Sequence, residues 1–193
     1  MTLNLVVIVG SVRSGRTGST VANWFAGQAT AHGDFAVETI DLLDYPLPLV
    51  MPEPGESPDP ATARVRDALA VKLGSADAFV VVTPEYNHTF PAVLKNAIDW
   101  FLDEWAAKPV GFVSYGGMSG GLRAVEHLRH VFAELHAMTV RESLSFHNVW
   151  ERFDGGQPRD NEESEGAAKT MLDRLLWWSE ALRAARAHSP YER

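Results

Sequence analysis

A doubly wound α/β fold, five parallel strands in three layers with helices on both faces, is what this sequence predicts. Three observations carry that reading. Strand-like and helix-like segments alternate five times, the pattern of a parallel sheet with helical crossovers. The runs Leu3–Val9, Ala78–Thr83 and Val110–Ser114 are almost unbroken apolar stretches, as strands covered on both faces are. The 193 residues contain no internal repeat and no linker, so residues 1–193 read as one domain, large enough to bury about 70% of the unfolded surface.

Each element follows in order. Leu3–Val9 is the first buried strand. A helix from Gly18 to Ala31 places Val21, Trp24, Phe25 and Gln28 or Ala29 at helical spacing. Phe35–Asp41 alternates apolar and polar residues, as a strand nearer an edge does. Tyr45–Pro60 carries six prolines, which forbid regular structure and mark a surface loop. Ala61–Gly74 is a helix ended by its glycine. Ala78–Thr83 is the third strand, and Pro91–Leu102 is a helix with proline in its first turn. Val110–Ser114 is the fourth strand. Leu122, Val125, Leu128, Phe132 and Leu135 form one helical stripe. Met138–Val140 and Leu144–Phe146 make an interrupted last strand. Phe153–Asn161 is a polar loop, and Asp160 with Glu163 has the spacing of a capping box. The last helix runs to Ala187 with Met171, Leu175, Trp178 and Leu182 inward.

Composition excludes several classes. The formal charge is −8, which argues against nucleic-acid binding, since that relies on Lys and Arg neutralising phosphates. There is no cysteine, so disulfides, thiolate nucleophiles and Cys-ligated metal centres are out. Redox chemistry would have to come from a bound cofactor. The apolar run at the N-terminus is too short for a membrane span and lacks the charged flank of a signal peptide. The expectation is a cytoplasmic protein without a membrane partner.

The chemistry concentrates in three loops that follow strands. In an open α/β sheet, ligands bind just past the carboxyl ends of the strands. The first loop is Gly10-Ser11-Val12-Arg13-Ser14-Gly15-Arg16-Thr17-Gly18-Ser19. Small residues let a ligand approach the backbone, and amides at a helix start attract anions. Arg13 and Arg16 add charge suited to phosphate, and Ser11, Thr17 and Ser19 add hydroxyls. The bland alternative is a solvated Gly/Ser turn. Arg16 stands where a P-loop would have lysine, and Asp41 is the sole candidate for a metal-binding aspartate after a strand, so a nucleoside triphosphatase fits poorly. Ser11-Val12 interrupts the glycines of a dinucleotide fingerprint. A terminal monophosphate fits best. The second loop, Thr83-Pro84-Glu85-Tyr86-Asn87-His88, offers backbone groups and one aromatic ring to something flat and polar. The third, Ser114-Tyr115-Gly116-Gly117-Met118-Ser119-Gly120-Gly121, should lie beside it.

Taken together, these loops resemble the NADPH-dependent FMN reductase family, which has a flavodoxin-like fold. The first loop, the Thr83–Asn87 segment, the helix Pro91-Ala92-Val93-Leu94-Lys95-Asn96-Ala97-Ile98-Asp99-Trp100 and Ser114–Gly117 carry the resemblance, which covers at least residues 3–146. It implies that Ser11, Arg13, Thr17, Gly18 and Ser19 hold the FMN phosphate, with Arg16 adding charge. Pro84, Glu85, Tyr86 and Asn87 would line the isoalloxazine edge, mainly through backbone groups. Ser114, Gly116 and Gly117, with Tyr115 among them, would complete the pocket. Implied too are NADPH or NADH as co-substrate, a small-molecule electron acceptor (quinone, azo or nitro compound, metal oxyanion or free flavin), and a homodimer or homotetramer.

Hydride transfer at flavin N5 needs positioning rather than a side-chain acid or base, so no catalytic residue is expected. Amides at Gly116 and Gly117 are suited to the charge that reduction places near N1 and O2. Glu85 reads as a helix cap or a solvent-facing group before a base or metal ligand, and His88 as a surface-turn residue before a substrate contact. His127 and His130, with Glu126 and Glu134, lie on one helix but lack a further ligand, so no metal site is expected. The helix at 91–102 is apolar nearly all round and reads as part core, part subunit interface, with the helix at 121–136 beside it. Trp177 reads as packing. The competing functions are a flavodoxin-type electron carrier and a flavin-based redox sensor. Two arginines in the first loop and a self-association helix favour the enzyme.

Overall fold

The structure is a computed structural model that describes residues 2–53 and 55–192. In chain order its elements are β1 (Leu3–Val9), α1 (Gly18–His32), β2 (Phe35–Asp41), a short 3-10 turn (Leu42–Asp44), α2 (Pro60–Ser75), β3 (Ala78–Pro84) and α3 (Ala92–Asp99). Then come β4 (Pro109–Tyr115), α4 (Leu122–Glu134), β5 (Met138–Phe146), α5 (Val149–Arg152), β6 (Phe153–Asp154), β7 (Gln157–Pro158) and α6 (Asn161–His188). The main sheet has the order β2-β1-β3-β4-β5, and every pairing in it is parallel. This is the parallel, doubly wound arrangement that alternation of the elements predicts, in the flavodoxin-like form that the resemblance implies.

Side-chain alternation along the strands divides the core into two layers. Leu5, Val7 and Val9 of β1 with Val80 and Val82 of β3 face α1 and α6, where Phe25, Met171 and Leu175 meet them. Val6, Ile8, Phe79 and Val81 face the other way, against Leu69, Leu73, Leu94, Ile98, Leu128 and Phe132 of α2, α3 and α4. Every residue of β3 and β4 is buried, which explains their unbroken apolar runs. At Gly111 a Cβ would lie 3.1 Å from the Met171 sulfur, so glycine is what allows α6 to close onto β4. The alternating strand, β2, is an edge.

Several local expectations change. Gly74 does not end α2; the helix passes it and turns extended at Ala76, whose N–H returns to Leu73. The C-terminal carbonyls of Leu73 and Gly74 accept instead from Lys108 Nζ at 2.8 and 2.9 Å, a distant capping group invisible to local pattern. The helix after Pro91 stops at Asp99 rather than Leu102, because the Ile98 carbonyl is taken by the Phe101 amide and the Trp105 indole, both turned into the core. β5 is one strand. Its apparent interruption is a bulge: β4 advances from Val110 to Phe112 while β5 advances from Thr139 to Ser143. Leu122 is exposed and drops out of the α4 stripe. Asp160 opens α6 without capping it; its carboxylate serves Arg152 at 2.9 Å and the Ser164 hydroxyl at 3.4 Å. Within Phe153–Asn161 lies a small hairpin, β6–β7, turning through Gly155 and Gly156, both left-handed. A Gly-Gly pair between short strands is a known hairpin signal.

Candidate functional site

The chain leaves β1 for β2 on one side and β3 on the other, so the crevice above the ends of β1 and β3 is the point where the winding reverses. The three chemically loaded loops converge there.

The first loop begins with the Gly10 amide donating to the Val82 carbonyl at 2.8 Å. A Cβ on Gly10 would sit 3.1 Å from both that carbonyl and Leu94, so the loop is pressed against β3. Ser11 is fully buried, and its hydroxyl pairs with the Tyr86 hydroxyl at 3.0 Å. Arg16 turns inward: it donates to the Ser11 carbonyl at 2.9 Å and forms an ion pair with Asp41 at the end of β2. It therefore braces the loop from behind. Arg13 is exposed and makes no ion pair among the described residues. Thr17 occupies the N-cap of α1, yet no side chain caps the helix, so the amides of its first turn are left open. Ser19 is half-buried in that turn. Gly18, its first residue, is packed on the end of Tyr115: a Cβ there would come 2.5 Å from the phenol oxygen.

In the second loop Pro84 ends β3 and is buried. The Glu85 amide donates to the Tyr115 carbonyl at 3.2 Å, tying the second loop to the third. The Glu85 carboxylate is 6% exposed and reaches the start of α4, accepting from the Arg123 amide at 3.2 Å and its guanidinium at 2.8 Å. Burial opposes its charge, but bonds from Ser119 and Arg123 outweigh that and hold the carboxyl below its usual range. Glu85 thus caps a helix, in trans. Tyr86 and Thr89 exchange backbone bonds around Asn87 (φ 49°) and His88 (φ 79°). Two consecutive left-handed residues, neither of them glycine, make this a strained, tightly specified turn. His127 of α4 holds it from outside, with its Nδ1 2.9 Å from the Thr89 hydroxyl. His130 pairs instead with Glu126 on the exposed side of α4.

In the third loop Ser114 is buried and donates to the Gly120 carbonyl at 2.8 Å. The Gly116 amide donates to the Phe146 carbonyl at 3.1 Å. It is therefore engaged in extending the sheet, and of the two glycine amides only that of Gly117 finds no acceptor among the described residues. Trp150 of α5 overlies Gly117, where a Cβ would be 3.4 Å from its ring. Tyr115 is 5% exposed, and its hydroxyl is buried with no hydrogen-bond partner among the described residues. Burial pushes this phenol well above its usual range, the nearby Ser11 hydroxyl opposing only in part.

The structure thus gathers Ser11, Thr17, Gly18, Ser19, Pro84, Tyr86, Asn87, Tyr115 and Gly117 at one end of the sheet, with Arg13 at its rim. Arg16, Glu85, Ser114 and Gly116 stand behind them as supports. The residues that hold these loops were not legible in the sequence: Asp41 on Arg16, Arg123 on Glu85, His127 on Thr89 and Trp150 over Gly117. Sequence reasoning also passed over Gly120 and Gly121, whose conformations (φ 60° and 86°) fold the third loop back under Ser114; the Gly-Gly pair before a helix was the available signal.

Three comparisons bear on this arrangement. The family model described as NADPH-dependent FMN reductase matches residues 3–151. An NAD(P)H-dependent FMN reductase of Schizosaccharomyces pombe is 42% identical over 134 residues, 68% of this chain and 66% of that one. A quinone reductase of Escherichia coli is 36% identical over 149 residues, 72% of this chain and 74% of that one. Among solved structures, a flavoenzyme NAD(P)H:(acceptor) oxidoreductase from Paracoccus denitrificans superposes with a TM-score of 0.73 at 22% identity, covering 93% of this chain and 98% of that one.

Proposed function

The chain belongs to the NADPH-dependent FMN reductase family, and from that membership and the geometry of its three loops we propose that it is an FMN-dependent NAD(P)H oxidoreductase. It would take electrons from NADPH or NADH and deliver them to a small acceptor: a quinone, an azo or nitro compound, a metal oxyanion or free flavin. The observation that carries the reading is the start of α1. An uncapped fifteen-residue helix, an unpaired Arg13 at its rim and a buried phenol without a partner beneath its first residue form an anion seat at the switch point of the sheet.

FMN fits these residues. Its phosphate suits the open amides of Thr17, Gly18 and Ser19 with Ser11 and Arg13, and its ring suits the backbone edges of Pro84–Asn87 and Gly117. Bound there, the flavin would supply the two-electron hydride chemistry. The protein's own part is positional. Arg16 and Asp41 fix the first loop; Glu85, ionised and bonded to Arg123, locks the second loop to α4; the left-handed turn at Asn87–His88 presents a rigid edge. Each of these groups orients a loop through its contacts, and positioning is what hydride transfer asks of the protein.

In assembly we read a homodimer or homotetramer. Leu94 and Ile98 of α3 enter the core and Ala97 and Trp100 pack against it, while Val93 stays half-buried and Leu102 exposed; these two are the apolar groups of the helix that remain for a second copy. Among the described residues no helix is long and apolar enough to cross a membrane, and a cytoplasmic location is part of the same reading. Anaerobic addition of NADPH to the FMN-loaded protein should bleach the flavin's long-wavelength absorption band within seconds, and turnover with a quinone and an azo dye should follow. Stable yellow colour that neither nicotinamide bleaches would favour an electron carrier. Sedimentation would test the assembly.

A further inference from the structure

We propose that Tyr115 is a phosphate-selective ligand of the mononucleotide site, its phenol hydroxyl donating to the anion held at the start of α1. The inference rests on the FMN reading above and assigns a role to a residue whose hydroxyl the fold itself leaves idle. A buried hydroxyl without a partner is destabilising, because it has lost water and gained nothing. Tyr115 is 5% exposed and in that condition. Phenylalanine would fill the same space without the penalty, so the oxygen needs a reason beyond packing.

Its position supplies one. Side chains on a helix lean toward its N-terminus, and the Tyr115 oxygen occupies the place where a side chain on Gly18 would begin, 2.5 Å from that Cβ position. It therefore packs under the first residue of α1, on the core side of the open helix end. Gly18 leaves room for it, and no side chain caps the helix. Ser11, the neighbouring hydroxyl, is already engaged with Tyr86. The one missing partner is an acceptor at the helix start, and a phosphate monoester brings several.

The test compares Tyr115→Phe with the native chain, each measured with FMN and with riboflavin, which lacks the phosphate. A lost charge-assisted bond should weaken FMN binding about tenfold or more and leave riboflavin binding unchanged. The ligand-free variant should melt at or above the native temperature, since it loses an unsatisfied group. Equal losses for FMN and riboflavin would overturn the proposal, as would unchanged FMN binding or a ligand-free variant that melts lower. If the native chain itself takes up no FMN, the functional reading fails first, and the two failures are distinct.

Discussion

Gly121 is the residue on which the third loop turns. At φ 86° it is left-handed, and a Cβ would meet the Ser114 Cβ at 2.6 Å and the Tyr115 amide at 2.9 Å. Gly121→Ala should therefore destabilise the fold by about 2–4 kcal/mol, combining left-handed strain with overpacking. Gly116→Ala, whose nearest atom would be 3.4 Å away, should cost well under half of that; urea unfolding of both variants checks the contrast. Lys108 poses a different question. It is 6% exposed, and burial, with Arg186 nearby, lowers its ammonium to about 8 from an ordinary 10.5. Between those values the unfolded chain binds a proton that the folded chain has released, so stability rises with pH across that window. A neutral amine still has two N–H groups for the Leu73 and Gly74 carbonyls. Relative to Lys108→Met, the native chain should gain about 2–3 kcal/mol from pH 7 to pH 10.5, measured by chemical denaturation at each pH. A flat difference would refute the account.

Among the elements, α4 is the one that the site depends on most. Its N-terminus has no cap of its own, since Gly121 carries no side chain, and Glu85 from the second loop supplies the missing acceptor. One buried carboxylate therefore fixes the spacing between the second loop and the start of α4. Glu85→Gln should cost about 1–3 kcal/mol at neutral pH. The folded carboxyl titrates below its unfolded value, so its contribution is fully present above the unfolded value and is lost as pH falls through the folded one. The native and Glu85→Gln stabilities should accordingly converge in acid; a difference unchanged down to the acid limit would show that the charge is not the cause. At the base of the sheet Asp77 has a comparable linking role. It accepts from the Asn4 amide at 3.0 Å and pairs with Arg183 and Arg186, joining β1 and β3 to the end of α6.

For the molecule as a whole, the two ends of the sheet differ in kind. The amino end is closed by Lys108, Asp77 and the α6 residues Arg183 and Arg186, all partnered within the chain. The carboxyl end keeps open amides, a phenol without a partner and a strained turn. A ligand that satisfies the second set must stabilise the whole fold. At one hundred times its dissociation constant it contributes about 2.7 kcal/mol, which for a chain of this size corresponds to a rise of about 5–10 °C in Tm. FMN should produce that rise in a thermal melt, and adenosine monophosphate, with a similar phosphate but no isoalloxazine, should produce much less. An equal rise with both would mean that phosphate alone is recognised.

Much was legible in the chain itself. Apolar runs and alternation fixed the parallel sheet and its edge strand, because burial on two faces forces composition directly. The order of the three loops, and the family they resemble, followed from short contiguous motifs. What only tertiary structure decided was which member of each loop is engaged within the chain and which is left open. Arg16 and Arg13 have the same chemistry three residues apart, yet Asp41 draws one inward; Gly116 and Gly117 are adjacent, yet Phe146 takes one amide and leaves the other. Those outcomes depend on partners tens of residues away, as do the lysine that ends α2 and the carboxylate that caps α4. Local sequence sets what a residue can do, and distant packing determines which of those capacities remains free.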